Sequence, residues 1–444
     1  MTTTQSNTWM LPADDRTNGW SAILAPRTPR APVSNDEEFD WLVIGGGYAG
    51  LAAARRLATL NPNQTVGVLE AQQCGDGAQG RNAGFAIDLP HNGDHDSANP
   101  EKGHRNMRLS RFGISYLEDI IAEEGIDCQW SKRGRYDAAV SPGTTRKLLC
   151  PTISELDALG EPYEFLQGEA LATRIGTDYY DAAIFTPGTR LLNPAALTRG
   201  LADTLPANVQ LFENCPVLEL ETSPKIVATV AGGAKVRARK VILGNNAFIN
   251  RFGYFTGRTL PFVLFASLTR PLAEDERRRI GGVFDWGITP AHSFAGPTLR
   301  YTQDHRILVR YGFAYAPELR HSSNLREQMK RAHRERFLER FPTLANVSFE
   351  HFWAGYLAMS RNGAPGWGRL AENVYAAVIC SGVGIAKQTA AGALVAELAS
   401  GTEHPRIQDM LMQGSPTPLP RRPFLDVGVR AYVAAEKWRG RAER

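Results

Sequence analysis

The fold is decided by the stretch DWLVIGGGYAG, residues 40–50. Its apolar start runs into glycines, small and apolar residues fill positions 51–58, and a second apolar run, TVGVL, occupies positions 65–69. This order predicts a strand, a tight turn, a helix and a second strand, the repeating unit of a parallel α/β sheet. We therefore expect an α/β chain whose first domain is Rossmann-like.

The glycines of this stretch match the dinucleotide motif GxGxxG in the strand-to-helix context that the motif requires. Gly45 permits the tight turn, Gly47 lets the backbone approach a pyrophosphate, and Gly50 packs the helix against the strand. The helix N-terminus then presents free N–H groups to the phosphates. Glu70, 20 residues past Gly50, ends the second strand, where a carboxylate accepts hydrogen bonds from an adenosine ribose. NAD and FAD both use this unit, so the motif alone leaves the choice between them open.

A second glycine-rich loop, GDGAQGRNAG at residues 75–84, favours FAD. Together with residues 43–51 it resembles the glycine oxidase and D-amino-acid oxidase superfamily of flavoproteins, and most closely its γ-glutamylputrescine oxidase branch. In that family the loop runs along the flavin and the pyrophosphate. The resemblance covers about residues 38–400 and is weakest in the middle of the chain.

The resemblance continues near the other end of the chain. Trp353-Ala354-Gly355 and the loop at 361–366 are similar to the family's WxG strand and Pro-bearing loop, and residues 381–386 to the start of its last helix. That helix start would face the flavin pyrimidine oxygens, and Val217 lies where the family's adenine contacts the backbone. The cofactor-binding residues so implied are Gly45, Gly47, Tyr48, Ala49, Gly50, Glu70, Ala71, Gly77, Ala78, Gln79, Arg81, Asn82, Ala83, Gly84, Val217, Gly355, Gly382, Val383, Gly384 and Ile385.

Some relatives attach their flavin covalently through a cysteine after WxG or a histidine in the second loop. This chain has no cysteine between Trp353 and Leu370, and Arg81 and Asn82 stand in the second loop, so we expect non-covalent FAD. Val383 occupies the place of a histidine found in many relatives, so no role of that histidine transfers.

The resemblance implies oxidation of a primary or secondary amine, γ-glutamylated or not, which needs little acid–base machinery. The catalytic candidates are Arg310, where sarcosine oxidases carry an oxygen-activating lysine, and Trp353 and Tyr356, as walls of an aromatic pocket. Plain core or ion-pairing roles are the alternatives for all three. The electron acceptor is oxygen or another acceptor such as a quinone.

Other functions stay open. An amino-acid oxidase of the glycine or sarcosine type needs an arginine to clamp the substrate carboxylate, for which Arg300 and Arg310 are candidates. A flavin-binding subunit without turnover of its own is a second alternative. A tRNA-modifying flavoprotein is disfavoured because no basic stripe with interleaved aromatic residues occurs.

The domain division expected from these segments has four parts. Residues 1–37 form an extended arm and residues 411–444 a C-terminal tail or helix. A discontinuous FAD-binding domain takes 38–125, 190–255 and 351–410, and a substrate domain with a mixed or antiparallel sheet takes 126–189 and 256–350. The fold class is thus α/β in the first domain and α+β overall.

Composition restricts the remaining functions. The 50 basic and 46 acidic residues are mixed along the chain, which argues against a nucleic-acid partner. Five scattered cysteines without a CxxC pair, no signal-peptide core and no long apolar run predict a cytoplasmic protein without an integral membrane segment. The loop from His91 to Asp96 contains metal-ligating residue types, but a solvated loop that gates the substrate is the favoured interpretation, so we expect no metal. The oligomeric state is not predicted.

Overall fold

A computed structural model describes residues 17–91, 100–281 and 283–443 of the chain. Its helices are α1 Gly19–Ala22, α2 Tyr48–Leu60, α3 Ala78–Arg81, α4 Pro100–Glu124, α5 Pro142–Thr144, α6 Cys150–Leu159, α7 Gly168–Ile175, α8 Pro194–Asp203, α9 Glu274–Ile280, α10 Ser323–Arg340, α11 Gly384–Ser400, α12 Pro405–Leu411 and α13 Phe424–Arg439. Its strands are β1 Glu37–Ile44, β2 Val66–Leu69, β3 Phe85–Ala86, β4 Arg135–Ala139, β5 Glu164–Gln167, β6 Ala182–Thr186, β7 Arg190–Leu191, β8 Val209–Phe212, β9 Val217–Glu221, β10 Ile226–Val230, β11 Lys235–Leu243, β12 Leu260–Thr269, β13 Trp286–Pro290, β14 Thr298–Tyr301, β15 Ile307–Tyr315, β16 Phe349–Met359, β17 Gly366–Ala371 and β18 Val374–Val378.

The first of two eight-stranded sheets contains the predicted parallel unit. Its strand order is β17-β18-β11-β1-β2-β8, and the four pairings from β18 to β8 are parallel. Strands β9 and β10 branch from β11 as an antiparallel pair. Because the central strands are parallel, the carboxyl ends of β1, β2, β11 and β18 meet at one edge, where a crevice for a ligand forms.

The second sheet has the order β16-β12-β15-β14-β13-β4-β6-β5 and is antiparallel except between β13 and β4. The mixed fold predicted from the sequence is therefore confirmed. The expected boundary at residue 351 falls inside β16, which pairs with β12 from Phe349 to Met359. Strand β16 therefore belongs to the second sheet, because long runs such as 260–269 and 349–359 pair as one antiparallel ladder and do not stop at a motif boundary.

Helices cover the first sheet as the apolar periodicity predicts. Leu51 and Leu57 of α2 pack with Leu394 of α11 in a core beneath Val43. Helix α4 begins at Pro100 and ends before a left-handed Gly125 with a φ of 65°. These contacts fix the glycine turn between β1 and α2.

The described part of the N-terminal arm is extended except for the one-turn helix α1. Asn18 caps that turn by accepting from the N–H of Trp20, and the Trp20 side chain is fully buried. Trp20 donates to the carbonyl of Asn82, so the arm closes over the second glycine-rich loop. At the other end of the chain, α13 packs on β15 through Val433.

Candidate functional site

One cavity of about 730 Å³ joins the crevice of the first sheet to the inner face of the second. It is lined by loops after β1, β2, β11 and β18 and by side chains of β12, β15 and β16. Of the predicted site residues it is lined by Gly45, Gly47, Tyr48, Ala49, Glu70, Ala71, Gly77, Ala78, Gln79, Arg81, Asn82, Ala83, Val217, Gly355, Gly382, Val383, Gly384, Ile385, Arg310 and Tyr356.

The glycine turn has the geometry of a pyrophosphate site. Gly45 has a φ of +110°, which disfavours any residue with a side chain. A Cβ on Gly50 would lie 1.8 Å from the carbonyl oxygen of Gly45, so helix and strand meet there without room for a methyl group. A Cβ on Gly47 would approach only Gln79, at 3.9 Å, and would project into the cavity. No side chain of the described residues caps α2, so its first N–H groups face the cavity.

Glu70 stands at the carboxyl end of β2, beside the glycine turn. One carboxylate oxygen accepts from the N–H of Gly46 at 2.6 Å and the other from the N–H of Gln72 at 3.0 Å. Burial outweighs these hydrogen bonds and raises the pKa of Glu70 to about 7. Hydroxyl donors from a ribose would favour the ionised form.

The second glycine-rich loop is held by Arg81. Its guanidinium donates to the carbonyls of Thr17, Asp76 and Ala354, at 2.6, 2.5 and 3.1 Å, and so ties the loop to the arm and to β16. Arg81 thus lines the cavity while its donors are used within the chain. The side-chain Nε2 of Gln79 in the same loop is buried with no partner among the described residues.

The far side of the cavity is formed by the start of α11 and by the second sheet. Helix α11 begins at Gly384, after Val383, and no side chain of the described residues caps it. Arg310 of β15 donates to the hydroxyl of Thr298 at 2.7 Å, and burial lowers the pKa of Arg310 to about 10. Arg310 has no carboxylate partner in the described part of the chain. The hydroxyl of Tyr356 lies 2.7 Å from Nδ1 of His321.

Four residues singled out from the sequence do not line the cavity. Trp353 is fully buried behind the wall and donates to the carbonyl of Arg81 at 3.0 Å, so the expectation that it walls the pocket is wrong. Arg300 is equally buried and does not line the cavity; its Nη1 donates to the carbonyls of Leu192 and Gly84, while Nε and Nη2 have no partner among the described residues. Gly84 and Gly50 shape the loops behind the cavity surface. A strand's alternation does not reveal which of its two buried faces meets a cavity, which explains both errors.

Sequence reasoning missed polar residues at both ends of the cavity. Asn245 and Ser381 follow β11 and β18, and their side-chain oxygens are buried without partners in the described ranges. The rule that ligands bind at the carboxyl ends of parallel strands would have found both. Arg135, His292 and Glu436 line the opposite end. They come from segments far apart in the chain, and no local pattern marks them.

These observations fit a dinucleotide with a flavin. Three buried polar atoms, on Gln79, Asn245 and Ser381, lie along the cavity with unused hydrogen-bonding capacity. Two helix N-termini face it, which suits the pyrophosphate and the polar edge of a flavin. The fold and the site thus define a dinucleotide-binding oxidoreductase.

The comparison with protein families agrees. Residues 40–398 match the DAO family model of FAD dependent oxidoreductases, and the chain belongs to this family. It is therefore an FAD-dependent oxidoreductase. The likeness to the glycine oxidase and γ-glutamylputrescine oxidase group and the FAD assignment, both predicted from the sequence, are confirmed.

Three individual relatives share less than 30% sequence identity with this chain. The chain is 28% identical to a probable oxidoreductase OrdL of Haemophilus influenzae over 387 residues, covering 84% of this chain and 85% of that protein. It is 27% identical to gamma-glutamylputrescine oxidoreductase of Escherichia coli over 381 residues, covering 82% and 84%. Glycine oxidase from Geobacillus kaustophilus has a similar fold, with a TM-score of 0.69, 19% identity and coverage of 83% and 96%.

Two further expectations concern metals and membranes. Within 17–91, 100–281 and 283–443, no group of three or more His, Cys, Asp or Glu side chains is arranged to hold a metal ion. Most of the loop from His91 to Asp96 lies outside the described residues. No described helix is both long enough and apolar enough to cross a bilayer.

Proposed function

We propose that this protein oxidises a primary or secondary amine, with γ-glutamylated amines among the candidate substrates. Bound FAD would supply the hydride acceptor: the carbon beside the nitrogen would lose a hydride, the nitrogen would lose a proton, and an imine would result. Water then hydrolyses the imine to an aldehyde or ketone and releases ammonia or the smaller amine. Oxygen or another acceptor takes the electrons from the cofactor.

The continuity of the cavity carries this proposal. The nucleotide crevice at Gly45 and Glu70 opens without a break onto a compartment lined by Phe265, Arg310 and Tyr356. A substrate held there would lie beside the bound cofactor, while aromatic rings would exclude water from its methylene groups. The likeness to gamma-glutamylputrescine oxidoreductase supports an amine as the substrate.

Arg310 has a role in binding the amine in its reactive form. A neutral amine gives up a hydride, whereas an ammonium ion does not, because the nitrogen lone pair stabilises the forming C=N bond. The un-neutralised cation of Arg310 lowers the pKa of an ammonium ion bound near it and so favours the neutral amine. It also stabilises negative charge on the reduced cofactor or on reduced oxygen.

The cofactor is proposed to be non-covalent. Cys380 lines the cavity, but burial raises the pKa of its thiol, which disfavours the thiolate needed for attachment. All five cysteines are free thiols. No histidine or cysteine stands in the loop from Gly77 to Gly84. Acid precipitation is therefore expected to release all of the FAD into the supernatant.

An amino-acid oxidase of the glycine or sarcosine type is the second candidate. Arg310 supports it, because an arginine without a carboxylate partner can form paired hydrogen bonds with a substrate carboxylate. Arg300 gives no such support, since it does not line the cavity.

The domain division proposed for this function follows the two sheets. An FAD-binding domain comprises 38–125, 190–255 and about 360–410, and a substrate domain comprises 126–189 and 256–359. The described part of the arm, residues 17–37, closes over the loop at 75–84, and α13 packs on β15. Only the boundary near residue 360 differs from the division expected from the sequence.

The test is anaerobic mixing of the purified holoenzyme with candidate substrates while the flavin absorbance is followed. The series comprises γ-glutamylputrescine, 1,4-diaminobutane, butylamine, sarcosine and glycine. Bleaching by the amines but not by the two amino acids is expected. Readmission of air then distinguishes an oxidase, which recovers its colour quickly, from a dehydrogenase.

Other outcomes would redirect the proposal. Bleaching by sarcosine or glycine alone would favour the amino-acid oxidase. A flavin that no amine reduces would favour a flavin-binding subunit without turnover. A colourless protein that takes up no FAD would contradict the cofactor assignment.

A further inference from the structure

Helix α13, which lies beyond the residues matched by the family model, stands at the entrance to the cavity, because its Tyr432 both lines the cavity and is 55% exposed. Tyr432 and Glu436 of this helix line the cavity. Val433 on the same helix is buried against the aromatic rings of the second sheet, and Asp426 accepts a hydrogen bond from Tyr315 at 3.0 Å. The helix is therefore a fixed part of the cavity wall.

The end of α13 is anchored as firmly. A Cβ on Gly440 would lie 2.7 Å from the ring of His292, so the chain packs there without spare room. Glu443 is buried, and its carboxylate accepts from the N–H of Val140 at 3.0 Å. These contacts hold Glu436 in place at the entrance.

A bulge in β15 turns two side chains toward the same space. Residues three apart on a regular strand point to opposite faces. Gly312 has a φ of 87°, and the pairing of β15 with β12 skips it, since Leu264 faces Phe313 and Phe265 faces Tyr311. This extra residue resets the alternation, and both Arg310 and Phe313 line the cavity.

Aromatic rings then continue from Arg310 to the entrance. Phe313 lies three residues along the strand, about 10 Å away. Its ring centroid is 4.7 Å from that of Phe294, which is 5.9 Å from that of Tyr432. Glu436 follows Tyr432 by one helical turn, about 6 Å. The passage thus has a cation at the inner end, apolar walls, and a carboxylate at the outer end.

Glu436 has capacity for a ligand. One of its oxygens bonds Arg439 at 2.6 Å, and the other is 3.4 Å from Nε2 of His292. The side chains of Glu436 and His292 are 15% and 16% exposed. Nδ1 of His292 is buried without a partner among the described residues. A carboxylate this shielded attracts a cation more strongly than one in open water.

We propose that Glu436 binds a second, cationic nitrogen of the substrate, separated by methylene groups from the carbon that is oxidised. The inference rests on the proposed amine oxidation. It adds which chemical group the substrate carries at the end far from the oxidised carbon. A distal ammonium has two sources: the free amine of a diamine, or the α-ammonium of a γ-glutamyl amine. The aromatic passage accommodates the intervening methylene groups.

The test compares amines that differ only at the far end, using steady-state kinetics of the holoenzyme and its Glu436→Gln variant. For the wild type, 1,4-diaminobutane or γ-glutamylputrescine is expected to have a KM at least about 10-fold below that of butylamine. Glu436→Gln should raise that KM about 10-fold while kcat, and the KM of butylamine, change less than about twofold. Whichever probe responds identifies the source of the ammonium.

Two control variants exclude a general effect on the helix. Glu327→Gln breaks a bond of the same i,i+3 type, to Lys330 at 2.8 Å, on a helix away from the cavity, and should leave the preference unchanged. Arg439→Gln removes a partner of Glu436 but keeps the carboxylate, and should retain the preference. Equal losses in Glu436→Gln and Arg439→Gln would overturn the assignment, as would equal losses for all amines.

Calorimetric titration of the oxidised holoenzyme without turnover tests this inference apart from the reaction. If no amine reduces the flavin, the proposed oxidation fails. In that case a 10-fold loss of 1,4-diaminobutane or γ-glutamylputrescine binding in Glu436→Gln, with butylamine unaffected, still supports the distal site. A wild type that binds all three amines equally, or a variant that binds them as the wild type does, overturns it.

Discussion

The two ends of the cavity are built from different parts of the chain. At the nucleotide end, the site is formed mainly by backbone atoms: a left-handed Gly45, the close contact at Gly50 and the uncapped start of α2. At the substrate end, side chains such as Arg310 and Glu436 converge from strands and a helix far apart in sequence. Backbone geometry demands glycine at fixed spacing, whereas side-chain convergence leaves no local pattern. Substitutions at the two ends should therefore impair the protein in different ways.

The largest effect is expected for Gly50→Ala. The new methyl group would collide with the carbonyl oxygen of Gly45, costing about 3 kcal/mol of stability and the whole flavin site. Visible absorbance of the purified variant should be lost. Gly428→Ala on α13 is the matched control, because no atom of the described residues lies within 4 Å of a Cβ placed there. It should keep its flavin and gain up to about 1 kcal/mol from helix propensity. A yellow Gly50→Ala protein would contradict the site.

At the substrate end, Arg310→Gln should lower kcat about 100-fold while the flavin content stays unchanged. Without the cation the bound amine keeps a higher pKa, so the rising limb of the kcat–pH profile should move to higher pH. Stopped-flow reduction at several pH values measures both effects. Arg331→Gln, on the exposed side of α10, is the control. If the kcat–pH profile does not shift, Arg310 does not set the protonation state of the bound amine.

A smaller effect is expected when the charge of Glu70 is removed. This change tests electrostatics, and not glycine geometry, at the nucleotide end. Because burial raises the pKa of Glu70 to about 7, ribose hydroxyls that favour the carboxylate should make FAD bind more tightly as pH rises from 6 to 8. Glu70→Gln should weaken binding about 10-fold at pH 8 and abolish this dependence. Fluorescence titration of the apoprotein with FAD measures it, with Glu221→Gln, an exposed carboxylate on β9, as the control.

The raised pKa of Glu70 also makes the stability of the apoprotein depend on pH. Its folded-state pKa lies above the unfolded value, so the folded apoprotein holds the proton more tightly. Stability without FAD should therefore fall as pH rises from about 4.5 to 7, and Glu70→Gln should remove that fall. Denaturant melts of the apoprotein across this range provide the measurement.

The smallest effect is expected for Trp353→Phe. The change deletes the buried hydrogen bond to the carbonyl of Arg81 and should cost about 1–3 kcal/mol, seen as a lower Tm. Flavin content and turnover should persist, because the side chain does not reach the cavity. Loss of turnover without a change in Tm would contradict this placement and indicate that Trp353 contacts the substrate.

The sequence predicted the nucleotide end far better than the substrate end. The strand–turn–helix at 40–58 and Glu70 follow from local sterics, and the family model and the topology agree with that fold. Trp353 was misplaced because residues 352–358 of its strand are apolar or small on both faces, so the pattern does not show which face meets the cavity. Glu436 was missed because its position depends on how α13 docks, through Val433 and Glu443, on residues more than 100 positions away. Local propensity contains no information on such contacts.

The buried Trp20 has a consequence for how the chain is made. Its ring meets Trp353 edge-on at 6.5 Å, and nearby Arg27 bonds Glu213. Synthesis proceeds from the N-terminus, so these early residues leave the ribosome long before their partners exist. Trp20 can hydrogen-bond to Asn82 early, but its contact with Trp353 can form only after most of both sheets has been synthesised. The packing of Trp20 on Trp353 is therefore a late step in closing the arm over the loop at 75–84, and a nascent chain stalled before residue 353 would lack that contact.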